Sequence, residues 1–175
     1  KVDLVAGGPP CQGFSFAGKR DKDDPRNQLF KEYIKFLKIV QPRICLIENV
    51  PGINIGLGKN NALQYGNSNR DIPISYSEHI QRHLKKIGFR VLFKDILKAA
   101  ECGVPQYRPR YIIIGIKEDL ASHISEKIIL DLIEQSQNKI LKSIGLKFGS
   151  MVTVKDAISD LRKSGKKLQA YENWP

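Results

Sequence analysis

Short apolar runs and amphipathic stretches alternate along the chain, and their spacing predicts an α/β fold. Val2 to Ala6 is an apolar run that reads as a strand, followed from Gly7 to Asn27 by a long loop rich in glycine, proline and charge. Gln28 to Gln41 repeats with helical period and predicts a helix carrying Leu29, Tyr33, Leu37 and Val40 on one face, ended by Pro42. Ile44 to Ile47 is continuously apolar, as expected of a strand buried on both faces. From Pro51 to Ser75 the glycines and asparagines (Gly56, Gly58, Asn60, Asn61, Gly66) predict a loop.

The second half continues the alternation. Ile80, Leu84 and Ile87 predict a helix near Ser77 to Ile87, with Gly88 as its C-terminal cap. Phe89 to Leu97 alternates as a strand, with Val91 and Phe93 on one face and Leu92 on the other. A tight segment through Gly103, Val104 and Pro105 leads to a further buried strand, Tyr111 to Ile116, and the short spacing predicts that these two strands pair antiparallel. Leu120 to Ile144 reads as mostly helical, with Ile128, Leu132 and Ile133 apolar. Thr153 to Leu161 reads as a short helix, with the Thr153 side chain accepting from the amide near Asp156.

Composition narrows the class. The 175 residues suffice for one domain with a core, and 41% hydrophobic with 27% charged residues is a globular balance. The apolar runs break far short of the ~20 residues of a membrane span. The start reads as a strand and not as a signal peptide, and it lacks an initiator Met, so the chain is expected to be a piece of a larger protein. The net charge of +11, from 29 Lys and Arg against 18 Asp and Glu, favours an anionic partner such as nucleic acid, although scattered lysines also suit a lysine-rich proteome. Cys11, Cys45 and Cys102 form no C-x-x-C pair; this argues against a disulfide framework or a metal site and for a reducing, cytoplasmic compartment.

Chemistry concentrates at two strand ends. Cys11 follows the first strand between Pro10 and a polar, glycine-rich loop; a rigid platform with an accessible thiol suits nucleophilic catalysis. Cys45, in mid-strand, and Cys102 fit the ordinary fate of cysteine as a small buried hydrophobe. Glu48 emerges from an apolar strand, where desolvation would raise its pKa and fit it to act as a general acid. Asn49, before Val50-Pro51-Gly52, reads more readily as a turn scaffold than as a catalyst. In Gln106-Tyr107-Arg108-Pro109-Arg110, two arginines two residues apart on an extended segment point the same way, wedged before a buried strand where idle guanidinium groups are costly. Their forked donors suit phosphate and carbonyl oxygens.

Together, Gly8-Pro9-Pro10-Cys11-Gln12-Gly13-Phe14-Ser15, Glu48-Asn49-Val50 and Gln106-Tyr107-Arg108-Pro109-Arg110 resemble the DNA (cytosine-5) methyltransferases, with support from Arg26 to Phe30 and Thr153 to Ile158. The resemblance covers Lys1 to about Lys117 and returns near Thr153. It implies the catalytic half of a Rossmann-like, S-adenosylmethionine-dependent methyltransferase sheet with an antiparallel hairpin strand. By the same resemblance Cys11 attacks carbon 6 of a cytosine flipped out of double-stranded DNA, and carbon 5 then takes the methyl group. Glu48 would bind N3 and the exocyclic amine, Arg110 the O2 oxygen, and Arg108 the backbone phosphate or the supporting side chains. Pro10 and Leu29 would border the cofactor, with Gln12, Ser15, Asn49 and Gln106 on the substrate side. Gly13 to about Asn27, with Lys19, Arg20 and Lys22, resembles the loop that closes over DNA.

The chain lacks the glycine-rich turn of the family's first motif, its acidic ribose-binding partner, most of the target-recognition region and the closing C-terminal motifs. Residues 1–117 are therefore expected to be the catalytic half, and 118–175 a helical extension with the start of the recognition region. Such a piece is expected to bind S-adenosylmethionine poorly and to be inactive by itself. The best reading is a restriction–modification enzyme. A tRNA-directed relative, or a nucleic-acid-binding remnant without activity, remains open at this level.

Overall fold

A computed structural model of the chain describes residues 2–10, 29–54 and 75–161. The elements in order are β1 (Leu4–Gly7), α1 (Leu29–Val40), β2 (Ile44–Asn49), a 3-10 turn (Pro51–Asn54), α2 (Tyr76–Lys86), β3 (Phe89–Lys98), a second 3-10 turn (Ala99–Cys102), β4 (Pro109–Lys117), α3 (Glu118–Ala121), α4 (Glu126–Ser143) and α5 (Val154–Ile158). The described residues divide into two compact units, one within Lys1–Leu97 and Pro109–Ile133, the other within Lys98–Arg108 and Glu134–Pro175.

A four-stranded sheet in the order β1-β2-β4-β3 organises the first unit. β1 and β2 run parallel, from Leu4↔Ile44 to Gly7↔Ile47, and β4 runs antiparallel to β2, from Ile44↔Ile116 to Asn49↔Tyr111. The Glu118 amide donates to the Gly88 carbonyl at 3.0 Å and the Ala99 amide to the Arg108 carbonyl at 3.2 Å, so the beginning of β3 meets the end of β4 and the expected antiparallel pairing holds.

The register sorts side chains onto two faces. Cys45, Ile47 and Ile113 face α1 and α2 and join Phe30, Leu37 and Leu84 in the larger core. Ile44 and Ile114 pack on the other face with Leu92, Ile116 and Ala121. β2 is therefore fully buried on one face only: Cys45 and Ile47 are buried, while Ile44, Leu46 and Glu48 are half-covered. This corrects the expectation of complete burial on both sides.

The helices follow their apolar spacing with some shifts. In α1 the buried face is Phe30, Ile34 and Leu37, whereas Leu29 is 44% exposed, because Phe30 and not Leu29 shares the 3.6-residue stripe with Ile34 and Leu37. α2 starts earlier than expected because Ser75 and Glu78 form a capping box, the Ser75 hydroxyl accepting from the Glu78 amide and the Glu78 carboxylate from the Ser75 amide. Gly88 has φ 82°, the left-handed geometry anticipated for the residue that ends α2. The stretch from Leu120 to Ile144 is mostly helical, as expected, and consists of the end of α3 and of α4, at whose start the Ser125 hydroxyl accepts from the Ile128 amide at 3.4 Å. Ile128 and Leu132 are 45% and 54% exposed there. The Thr153 cap is as expected, its hydroxyl accepting from the Asp156 amide at 3.2 Å.

Candidate functional site

β1 ends at Gly7, and the chain then passes Gly8 and a buried Pro9 to an exposed Pro10. Cys11, Gln12, Ser15, Lys19 and Arg20 lie outside the described residues. A side chain would collide at Gly7 and crowd its neighbour at Gly8. A Cβ on Gly7 would fall 2.5 Å from Cε2 of Tyr33, and one on Gly8 would fall 3.1 Å from Oε2 of Glu48. The backbone leading to Pro10 thus runs directly beside the Glu48 carboxylate.

Glu48 and Asn49 end β2 with side chains on opposite faces, as strand alternation requires. Glu48 pairs in register with Ile112, so Arg110, two residues before Ile112 on β4, shares its face. Arg110 Nε meets Glu48 Oε1 at 2.6 Å, and Nη1 of the same guanidinium donates to the Pro109 carbonyl at 2.9 Å. The pair is partly covered, the Arg110 side chain 24% and that of Glu48 40% exposed. The desolvation expected of Glu48 is thus only partial, since β2 carries it past the covered part of the sheet and a guanidinium stands beside it.

Asn49 turns the other way and is 7% exposed. Its Nδ2 donates to the Pro9 carbonyl at 2.9 Å, and its Oδ1 accepts from the Val50 amide at 2.8 Å. A second tie links β1 and β2 lower down. The Tyr33 hydroxyl lies 3.1 Å from both the Val5 and the Leu46 carbonyl oxygens. Burial, reinforced by the neighbouring Cys45, raises the Tyr33 phenol well above its usual range, so it stays a proton donor there. Neither tie was anticipated from sequence. The Gly7-Gly8 doublet and a tyrosine on the inner face of α1 were the only local signs.

The remaining described candidates are exposed. Arg108 is exposed and belongs to the second unit, where its carbonyl accepts from Ala99; the cost of burying a guanidinium thus applies to Arg110 and not to Arg108. Gln106 is also exposed, with its amide donating to Val104 O at 2.8 Å. Leu29 and Pro10 both present exposed apolar surface in the first unit. Among the described residues no group of three or more His, Cys, Asp or Glu side chains could hold a metal ion. No helix among them is long and apolar enough to cross a membrane.

A carboxylate, a guanidinium and a carbonyl-lined turn side by side form a polar edge able to accept from an amine and donate to a carbonyl at once. The family profile described as C-5 cytosine-specific DNA methylase matches residues 1–173. Type II methyltransferase M1.HphI of Haemophilus parahaemolyticus is 41% identical over 122 residues, which are 67% of this chain and 28% of that protein. M.DdeI of Desulfomicrobium norvegicum is 36% identical over 91% of the chain and 32% of its own length. M.AquIA of Picosynechococcus is 35% identical, covering 92% of the chain and 61% of that protein. A crystal structure described as a DNA modification methyltransferase encoded within an E. coli prophage superposes with a TM-score of 0.55 at 29% identity, over 90% of this chain and 34% of that one. The chain therefore spans about a third of most of these relatives and 61% of one.

Proposed function

Since the chain belongs to the C-5 cytosine-specific DNA methylase family, we propose that it provides the catalytic centre of a restriction–modification enzyme that methylates carbon 5 of a flipped-out cytosine in double-stranded DNA. The observation that carries this reading is the 2.6 Å pair between Glu48 and Arg110 at the mouth of β2. Cytosine presents an amine, a ring nitrogen with a lone pair and a carbonyl oxygen along one edge. Glu48 offers an acceptor to the amine and, when protonated, a donor to N3, while Arg110 turns a donor towards O2. Uracil and thymine present the opposite pattern at the first two positions, so the same pair discriminates against them.

In this reading the Cys11 thiol gives its proton to solvent and its sulfur bonds to carbon 6, while N3 takes up the proton held by Glu48 and carbon 5 becomes electron-rich. S-adenosylmethionine supplies, when bound, the electrophilic methyl group. Loss of the carbon 5 proton to water and of the Cys11 thiolate then restores the ring, and Glu48 recovers its proton from N3. The exposed apolar surfaces of Pro10 and Leu29 suit the border of such a cofactor. Gln12, Ser15, Lys19, Arg20, Gln106 and Arg108 are assigned to the nucleic acid side, where basic side chains meet phosphates. Residues 118–175 are assigned to a helical extension and the start of the recognition region. A cytoplasmic location follows from this role. The activity is proposed for a protein that also supplies the rest of the family's sequence; the span alone is expected not to transfer methyl groups.

The test uses duplex DNA containing 5-fluorocytosine, on which the last proton cannot leave and the adduct persists. The full-length protein with S-adenosylmethionine should form a covalent adduct that Cys11→Ser abolishes. A folded protein that forms none overturns the reading. Tritiated methyl transfer to duplex DNA and not to tRNA should accompany the adduct.

A further inference from the structure

The two carboxylate oxygens of Glu48 have different surroundings. Oε1 meets Arg110 Nε at 2.6 Å. Oε2 lies beside the backbone that leaves β1: a Cβ on Gly8 would fall 3.1 Å from it and 3.5 Å from the Glu48 main-chain oxygen. The first distance is inside ordinary van der Waals contact, so one side would have to yield. A free glutamate would swing aside at little cost. Glu48 is not free, because moving its carboxylate disturbs the contact with Arg110, whose Nη1 is itself held by the Pro109 carbonyl at 2.9 Å. The main chain has little room to yield instead: Glu48 is paired in register with Ile112, and Pro9, next to Gly8, is buried.

We infer that Gly8 is a positioning residue. By carrying no side chain it keeps Glu48 Oε2 clear while Oε1 stays on Arg110, so one oxygen fixes the carboxylate and the other is left for the base. The consequence for the base rests on the proposed cytosine chemistry; the clearance and the ion pair do not. Gly8 acts through Glu48 and not by touching the base. Its φ lies outside the left-handed region, so alanine meets no left-handed strain there and the substitution tests crowding of the carboxylate.

The test compares Gly8→Ala with the parent protein at full length by two readouts. The first is the NMR resonance of the Arg110 Nε–H group, assigned by its loss in Arg110→Lys, and it needs no enzyme activity. Crowding of Glu48 should shift this resonance and raise its exchange with water several-fold. The second is the single-turnover rate constant for tritiated methyl transfer to duplex DNA, measured beside the DNA dissociation constant. It should fall about tenfold or more with DNA affinity held within about twofold. In a Glu48→Gln background, where the carboxylate is already gone, Gly8→Ala should cost less than about threefold. An unchanged Arg110 resonance, or an unchanged transfer rate in a protein whose parent is active, would overturn the positioning role and leave the proposed function standing. Equal losses in the two backgrounds also overturn it, because the substitution then acts elsewhere than on Glu48, and so does a loss that merely tracks weaker DNA binding. A parent protein that transfers no methyl group, with the Arg110 resonance still moved by the substitution, would overturn the proposed function and leave the clearance standing. Should Gly8→Ala prevent folding, the same substitution combined with Glu48→Ala, which removes the crowded oxygen, should restore the fold; a double variant that stays unfolded overturns the role.

Discussion

Arg110 Nε and Glu48 Oε1 stand 2.6 Å apart on two antiparallel neighbours of one sheet. The partial exposure of both side chains limits what the pair adds to stability to about 1 kcal/mol or less, so its value is geometric. Arg110→Ala should reduce methyl transfer by roughly 100-fold and Glu48→Gln by roughly 100- to 1,000-fold. Both should leave the urea midpoint nearly unchanged. Single-turnover methyl transfer by the full-length protein, with denaturation curves alongside, checks this. Because the two groups are proposed to act on one base edge, the double variant should lose much less than the product of the single losses.

Gly7 and Tyr33 form a second coupled pair, and theirs is structural. A Cβ at Gly7 would meet the Tyr33 ring at 2.5 Å, and the ring is pinned by its hydroxyl between the Val5 and Leu46 carbonyls. Gly7→Ala should destabilise the fold by about 1–3 kcal/mol through overpacking. Tyr33→Phe should cost about 1 kcal/mol by leaving the carbonyls without their donor. A displaced ring has already lost those bonds, so the two costs should add to less than their sum in a double-mutant cycle read by urea unfolding.

Stability should depend on pH through His79. Its ring stacks on Tyr76 with centroids 5.8 Å apart, and burial, followed by the positive neighbours His83, Lys31, Arg82 and Lys86, pushes its pKa down to about 4 from 6.5. The folded state therefore keeps the ring neutral where the unfolded chain takes a proton. Its contribution is fully present above pH 6.5 and is lost as pH falls towards 4. With allowance for partial exposure of the ring, the loss is on the order of 1–2 kcal/mol. Urea midpoints between pH 7 and 4.5 should fall, and His79→Gln should flatten that slope.

Cys45 should be inert. It is fully buried against Gly115, and burial pushes its thiol up to about 12 despite nearby backbone amides and Lys117. Iodoacetamide at pH 8 should label the partly exposed Cys102 and leave Cys45 unmodified until urea unfolds the chain. The same raised pKa predicts stability lost as pH climbs above 9, because the unfolded thiol ionises there and the folded one does not.

Much of this architecture could be read from residue order alone. The apolar period placed β1, β2 and the β3–β4 hairpin. Gly88, Pro42 and the Thr153 cap marked element ends correctly, because each acts within a few residues through its own backbone. The motifs at the strand ends resembled a family that the profile match then supported over residues 1–173. The details that depend on register were not legible. Whether Leu29 or Phe30 faces inward, and where Ser125 divides two helices, turned on packing and capping against the rest of the fold. The contact of Arg110 with Glu48 was not legible either, because a strand's alternation acquires a partner only once β4 is aligned with β2. The tie from Asn49 to Pro9 and that from Tyr33 to Val5 and Leu46 are of the same kind. Local sequence determined the elements and the chemistry available at their ends. Tertiary structure decided which of those groups stand within hydrogen-bonding distance, since contacts between residues far apart in sequence exist only after the strands are paired.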